Sequence, residues 1–257
     1  MPSESRLKHT RSRERLQNES DEMELDRFIF ETIDSTNKWA KANLGKFRPQ
    51  HLTVVAASAQ SAGYGRQGRT WVSPPGKNLY LSFCFRHPGR VDSLTEVVAV
   101  GVAQALEDLD LKPRLKWPND VLLSGKKVCG ILCEATSGWA IVGIGLNVNM
   151  TAEELQQIDK PATSLLLATG RGYSLKQIEE LVEGAISANI VTFITQGFDP
   201  FYIPYTQRLI HKLGDPIQFD DGKHIWQGSF HKIHLDGSLS LIVEPNETKA
   251  FYTGDIA

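Results

Sequence analysis

The stretch Arg114-Leu-Lys-Trp-Pro-Asn-Asp-Val-Leu-Leu-Ser-Gly-Lys-Lys-Val-Cys-Gly-Ile-Leu-Cys-Glu134 does most to decide how this chain folds. Arg114 to Trp117, Asp120 to Leu123 and Lys127 to Glu134 read as three strands. Ser124-Gly125, between the last two, is a hairpin turn.

Working outward, the regular patterns continue on both sides. Upstream, strands are expected at Arg27–Ile33, Leu52–Ala57 and Asn78–Phe85, the last from its alternation. Asp34 or Ser35 is a good N-cap for a helix to about Leu44, and Ser93-x-x-Glu96 is a capping box opening a helix to about Leu109. Downstream, Ala140–Met150 reads as a further strand, and Ser174-x-x-Gln177 opens a long helix to about Phe193. Beyond Leu213 the texture changes to short strands with Asp-Gly turns at 221–222 and 236–237, the pattern of a small β-barrel. Strands interleaved with a few helices, followed by strands alone, predict an α+β fold. The expected division is a charged, disordered or frayed tail over 1–26, a catalytic domain over 27–211 and an all-β domain over 212–257. The tail has too few apolar residues to offset its ordering entropy.

Composition excludes several classes of function. The 257 residues are 41% hydrophobic and 23% charged, with a formal net charge of −2, so no global basic field is available for nucleic acid. The basic RSRER run near the start is nearly neutralised by the acidic DEMELD after it. No apolar run is long enough to span a bilayer, and the start resembles neither a signal nor a transit peptide, so a cytoplasmic enzyme is expected. Cys84, Cys129 and Cys133 form no metal or disulfide pattern and read as buried reduced thiols.

Three segments carry chemistry. Gln60-Ser-Ala-Gly-Tyr-Gly-Arg-Gln-Gly-Arg-Thr-Trp71 alternates glycines with Arg66 and Arg69. Glycines allow close backbone approach, and guanidinium groups can neutralise a carboxylate or phosphate bidentately; a flexible solvated loop is the bland reading. Its spacing is neither that of a P-loop nor that of a dinucleotide fingerprint. Trp71 suits either stacking on a base or anchoring the loop in the core. In Leu115-Lys-Trp-Pro-Asn-Asp-Val121 and the strand after it, Lys116 and Lys127 flank Asn119-Asp120. Either lysine can act as a point charge, with Asp120 orienting it or helping to hold Mg²⁺; a simple turn with solvated lysines is the alternative. Asp34-Ser-Thr-Asn-Lys38 holds more small hydrogen-bonding groups than capping needs, which suits a neutral polar ligand such as a urea or amide.

Together these segments resemble the catalytic domain of the biotin–protein ligase family. The resemblance rests on Asp34–Asn37, Gln60–Trp71, Ser73–Ser82, Leu115–Asp120, Lys127–Glu134, Gly143-Ile-Gly-Leu-Asn-Val-Asn149 and Thr163-Ser-Leu165, and covers about Phe28 to Ala257. It implies a mixed-sheet domain of class II synthetase type with flanking helices, followed by an SH3-like barrel. It further implies an ATP-dependent, AMP-forming enzyme that makes biotinyl-5′-AMP and passes biotin to a lysine of a biotin carboxyl carrier protein. By the same resemblance Lys127, Arg66 and Asp120 are catalytic. Ser35, Thr36, Asn37, Gln60, Gly63, Tyr64, Gly65, Arg66, Lys127 and Gly130 face biotin. Arg66, Arg69, Trp71, Lys116, Asn119, Lys127 and Asn147 face ATP, with Mg²⁺ accompanying the nucleotide.

Two departures stand out. Tyr64 occupies a position where many members have arginine. Some members begin with a winged helix-turn-helix, whereas only a charge-rich segment of about 26 residues precedes the first expected strand here; the expectation is a ligase without repressor activity or nucleic-acid partner. Some members dimerise through the central sheet, which leaves a homodimer open. The rivals are a lipoate- or octanoate-protein ligase and a non-catalytic biotin-binding regulator. The KWPND-type segment and the glycine–arginine loop weigh against the first, and Lys127 against the second.

Overall fold

In a computed structural model that describes residues 8–12, 23–244 and 247–256, the chain forms two sheets joined by one apolar core. The elements begin with β1 (Lys8–Ser12), β2 (Leu25–Ile33), α1 (Thr36–Ala42), β3 (Leu52–Gln60), β4 (Leu79–Arg86) and α2 (Leu94–Glu107). There follow β5 (Arg114–Lys116), β6 (Asp120–Leu123), β7 (Lys126–Thr136), β8 (Trp139–Leu146), α3 (Ala152–Leu155) and α4 (Leu165–Thr169). The chain ends with α5 (Leu175–Gln196), α6 (Asp199–Arg208), β9 (Pro216–Asp220), β10 (Ile225–Ile233), β11 (Leu239–Glu244), β12 (Glu247–Phe251) and β13 (Asp255–Ile256).

Among the described residues the large sheet runs β1-β2-β3-β4-β8-β7-β6-β5, with β2 and β3 parallel and every other pair antiparallel. It is the mixed sheet of the expected α+β fold. Its hairpin turns where expected, Ser124 and Gly125 both having positive φ (49° and 76°). One face is covered by α2, whose residues are buried almost all round because α5 and α6 lie over it. Gly101 allows that approach: a Cβ there would meet Ile186 Cγ1 at 3.1 Å. The other face carries a smaller apolar cluster of Phe28, Phe30, Trp39, Phe47, Val55, Trp139 and Ile141 beneath α1. Helix α1 is short, so part of this second face stays uncovered.

The C-terminal sheet runs β12-β11-β10-β9-β13, all antiparallel, with glycines in the left-handed region at both Asp-Gly turns (Gly222, φ 86°; Gly237, φ 82°). It docks on the large sheet through Trp117, whose ring centroid lies 5.9 Å from that of Phe219 and whose Nε1 donates to the Gly237 carbonyl at 3.0 Å.

Three local expectations need correction. Lys8–Ser12, placed in the disordered tail, instead pairs with Leu25–Ile29. An edge strand's unpaired N–H and C=O groups reward pairing by any extended segment, and this backbone gain leaves no mark in composition. Residues 1–7 and 13–22 of the expected tail lie outside those described. The Ser93–Glu96 capping box does not form: Ser93 has φ −94° and ψ 4°, its side chain makes no cap bond, and Glu96 is buried at 1% exposure. The first turn of α2 is wedged against the C-terminal domain, where a Cβ on Gly237 would come within 2.9 Å of Ser93 Cα. Helices α3, α4 and α6 were not anticipated; α3 and α4 are single turns, each fastened by a capping side chain, Thr151 and Ser164.

Candidate active site

A cavity of about 410 Å³ lies on the uncovered part of the second sheet face. Strand register explains its floor. Ser82 pairs with Gly143, which pairs with Leu132, and Tyr80 pairs with Gly145, which pairs with Gly130, so two rungs with a glycine at the centre of each share one face. These glycines admit their neighbours. A Cβ on Gly143 would collide with Asn37, and one on Gly145 with the Trp71 indole. The roof is the glycine-rich loop, folded back on itself. Gly65 N–H donates to Arg69 C=O at 2.7 Å, and Trp71 N–H to Gly63 C=O at 2.9 Å.

One end of the cavity is neutral and fully hydrogen-bonded. Ser35 caps α1 by accepting from Lys38 N–H. Thr36 donates to Gln60 Oε1 through both its backbone N–H (2.9 Å) and its hydroxyl (3.2 Å), and Gln60 Nε2 donates to Ser73 Oγ at 3.1 Å. Ser82 Oγ donates to Asn37 Oδ1 at 2.6 Å and lies 2.8 Å from Thr36 Oγ1. Asn37 Nδ2 donates to Leu132 C=O (3.3 Å) and to Glu134 Oε2 (3.0 Å). Ser35, Thr36, Asn37 and Ser82 are all buried, and such groups keep their orientation because each lost partner costs about 1–3 kcal/mol.

The other end is cationic. Five basic side chains line the cavity against three carboxylates, the reverse of the chain's overall balance. Lys127 Nζ is 2.5 Å from Asp120 Oδ1 and 5.3 Å from the Trp71 ring centroid. Its backbone is pinned on both sides, N–H to Pro161 C=O and C=O from Thr163 N–H. Burial holds the Lys116 ammonium below the ordinary lysine range. Asn119 donates to Ile131 C=O at 2.9 Å and accepts from Arg66 Nη1 at 3.2 Å. Arg66 also reaches the C-terminal domain, at Thr253 Oγ1 (3.1 Å), Gly254 C=O (2.8 Å) and Asp255 Oδ1 (3.2 Å). Arg69 meets the other oxygen of Asp255 at 2.6 Å. Trp71 Nε1 is buried with no hydrogen-bond partner among the described residues.

The fold therefore gathers Ser35, Thr36, Asn37, Gln60, Tyr64, Gly65, Arg66, Arg69, Trp71, Lys116, Asn119, Asp120, Lys127 and Gly130 around one space. Gly63 and Asn147 are not among its walls. Gly63 sits behind the loop, where a Cβ would meet Ser73 Oγ at 2.7 Å, and Asn147 is buried beneath, donating to Thr163 C=O at 3.1 Å. Sequence reasoning placed Ser82, Gly143, Gly145 and Glu134 in matching segments but gave them no role at the site, although period-two alternation sets them on one face. It had no means of finding Asp255 or the wall formed by Gln157–Lys160.

A mixed sheet with a small C-terminal β domain, and one cavity that is neutral at one end and cationic at the other, define an enzyme of the biotin/lipoate ligase class. Residues 29–150 match the biotin/lipoate A/B protein ligase family. The bifunctional ligase/repressor BirA of Salmonella typhimurium is 30% identical over 238 residues, covering 89% of this chain and 73% of that protein. A biotin–[acetyl-CoA-carboxylase] ligase of Paracoccus denitrificans is 31% identical over 200 residues, covering 73% and 82%. The solved structure of a biotin protein ligase from Aquifex aeolicus, in complex with biotin and ATP, superposes with a TM-score of 0.76 at 29% identity, covering 90% of this chain and 97% of that one. The chain belongs to the biotin–protein ligase family.

Proposed function

We propose that this enzyme joins biotin to AMP and then transfers the biotinyl group to a lysine of a biotin carboxyl carrier protein. The observation that carries the reading is the polarity of this cavity. A ureido ring needs a rigid, neutral set of donors and acceptors, and the Ser35–Thr36–Asn37–Gln60–Ser82 network supplies one. The carboxylate at the far end of the ligand then points toward the cations.

In the first step a biotin carboxylate oxygen attacks the α-phosphorus and pyrophosphate leaves. Two anions must approach, so local positive charge has to offset their repulsion. Lys127, oriented by Asp120, is the group placed to do so, and Arg66 and Arg69 can exchange Asp255 for phosphate oxygens. Trp71, lying over Gly145 with a free indole N–H, is assigned to the adenosine side. In the second step the carrier amine attacks the acyl carbon and AMP leaves, while the glycine-rich loop keeps water from the adenylate.

No group of three or more metal-binding side chains exists among the described residues, and Asp120 is already paired with Lys127. The site therefore fits Mg²⁺ only as a partner of the ATP phosphates, the usual habit of this ion, and not as a metal caged by the protein. Chelation by EDTA is expected to stop adenylate formation while leaving biotin binding intact.

The decisive experiment is biotin-dependent exchange of pyrophosphate into ATP, with lipoate and octanoate as competitors, followed by intact-mass measurement of a carrier domain. Exchange supported by lipoate but not biotin would hand the assignment to the lipoate branch. Tight biotin binding without exchange would leave a binding protein.

A further inference from the structure

Tyr64 stands at the point where the loop departs from the commoner arginine, and its hydroxyl has a defined partner. It donates to Glu134 Oε2 at 2.8 Å. The same oxygen accepts from Asn37 Nδ2 at 3.0 Å, and the other carboxylate oxygen lies 3.3 Å from Lys41 Nζ. One carboxylate on β7 thus gathers the first arm of the loop, the start of α1 and the body of α1. The backbone of Tyr64 bridges to Thr70 across the loop, so holding its ring holds both arms. Glu134 is not itself a wall of the cavity, whereas Tyr64 and Asn37 are.

We infer that Tyr64 is a positioning residue, which through Glu134 fastens the glycine-rich loop to the neutral end of the cavity and couples loop closure to the orientation of Asn37. Burial and the adjacent carboxylate both push the Tyr64 phenol above its ordinary range, so the hydroxyl remains a donor at any working pH. At this position the chain has a neutral group locked to a carboxylate of its own. A ligand that bonds to Asn37 steadies Glu134 and, through it, the closed loop. A closed loop in turn holds Asn37 ready.

This inference rests on the reading that the neutral end receives biotin, and the test separates the two. Wild type, Tyr64→Phe, Glu134→Ala and the double variant are compared for biotin KM and kcat in pyrophosphate exchange. Free biotinyl-adenylate released without carrier and thermal midpoint are measured alongside. Tyr64→Phe keeps the ring and removes only the donor. Its biotin KM is expected to rise about tenfold, the order of a hydrogen bond to a charged acceptor, and adenylate release to rise with it. Glu134→Ala, which also frees Asn37, is expected to do more, and adding Tyr64→Phe to it to do nothing further. Unchanged KM and release in Tyr64→Phe, single effects that multiply in the double variant, or a lowered thermal midpoint with intact kinetics would each overturn the inference. Absence of biotin-dependent exchange in the wild type would instead overturn the proposed function.

Discussion

The two ends of the cavity are built on opposite physical plans. The neutral end comes from one domain and is buried, and its side chains are already matched to one another: Thr36 with Gln60, Ser82 with Asn37. The cationic end is shared between domains and is more exposed, with Arg69 41% and Lys127 25% exposed at the side chain, and its charges rest on carboxylates. Neutral hydrogen-bonding groups must be held in place before a ligand arrives, because an unmatched buried partner is costly. Partly exposed ion pairs are worth little each, so Asp255 can give up Arg69 to a phosphate at small cost. Under the proposed function, selectivity and charge neutralisation are thereby separated along one cavity.

The largest test of this division is Lys127→Ala. If charge develops at the cationic end, pyrophosphate exchange should fall by about 10²–10³-fold with biotin binding much less affected, as when one preorganised transition-state donor is removed. A loss below tenfold would mean that Lys127 is not where the reaction concentrates charge. Next come two floor glycines one step apart on the same face. Forcing a methyl into a packed site costs about 1–3 kcal/mol. Gly143→Ala should displace Asn37 and raise the biotin KM, whereas Gly145→Ala should displace Trp71 and raise the ATP KM. If both substitutions moved the same KM, the two ends would be one.

A smaller effect should come from salt. Raising ionic strength shortens the screening length from about 10 Å at 0.1 M to about 3 Å at 1 M. The ATP KM should therefore rise severalfold, and the biotin KM, with a single charge on its ligand, less. The smallest is an effect of pH. Burial lowers the Lys116 pKa below the ordinary lysine value of 10.5, so its charge is lost earlier than usual as pH rises. The ATP KM should climb by about twofold on the approach to pH 10, as one of several cations is lost. The biotin KM should stay flat, and Lys116→Met should abolish the trend. A parallel rise in both KM values would assign the titration to a group common to both ends.

Much of the fold was legible because it is written locally. Ser35 caps α1 where its residue type says it should, Ser124-Gly125 turns the β6–β7 hairpin, and apolar alternation marks β4. The failures have a shared cause. Ser93 and Glu96 have the spacing of a capping box, but packing against Gly237 overrides it. Lys8–Ser12 lacks apolar character yet finds the free edge of β2. Glu134 reads as an ordinary strand-end carboxylate until the register sets it beside Asn37 and Tyr64.

Residue types and short spacings thus determined the strands, the turns, the glycine–arginine loop and the family, since each depends on neighbours a few positions away. Only the tertiary structure decided which partners those groups have. Arg69 and Asp255 are 186 residues apart, and Tyr64 and Glu134 are 70 apart. Contacts across such separations arise when sheets are laid down and domains dock, and no local pattern records them. The division of the cavity into a rigid neutral end and an exchangeable charged one is therefore a property of the fold.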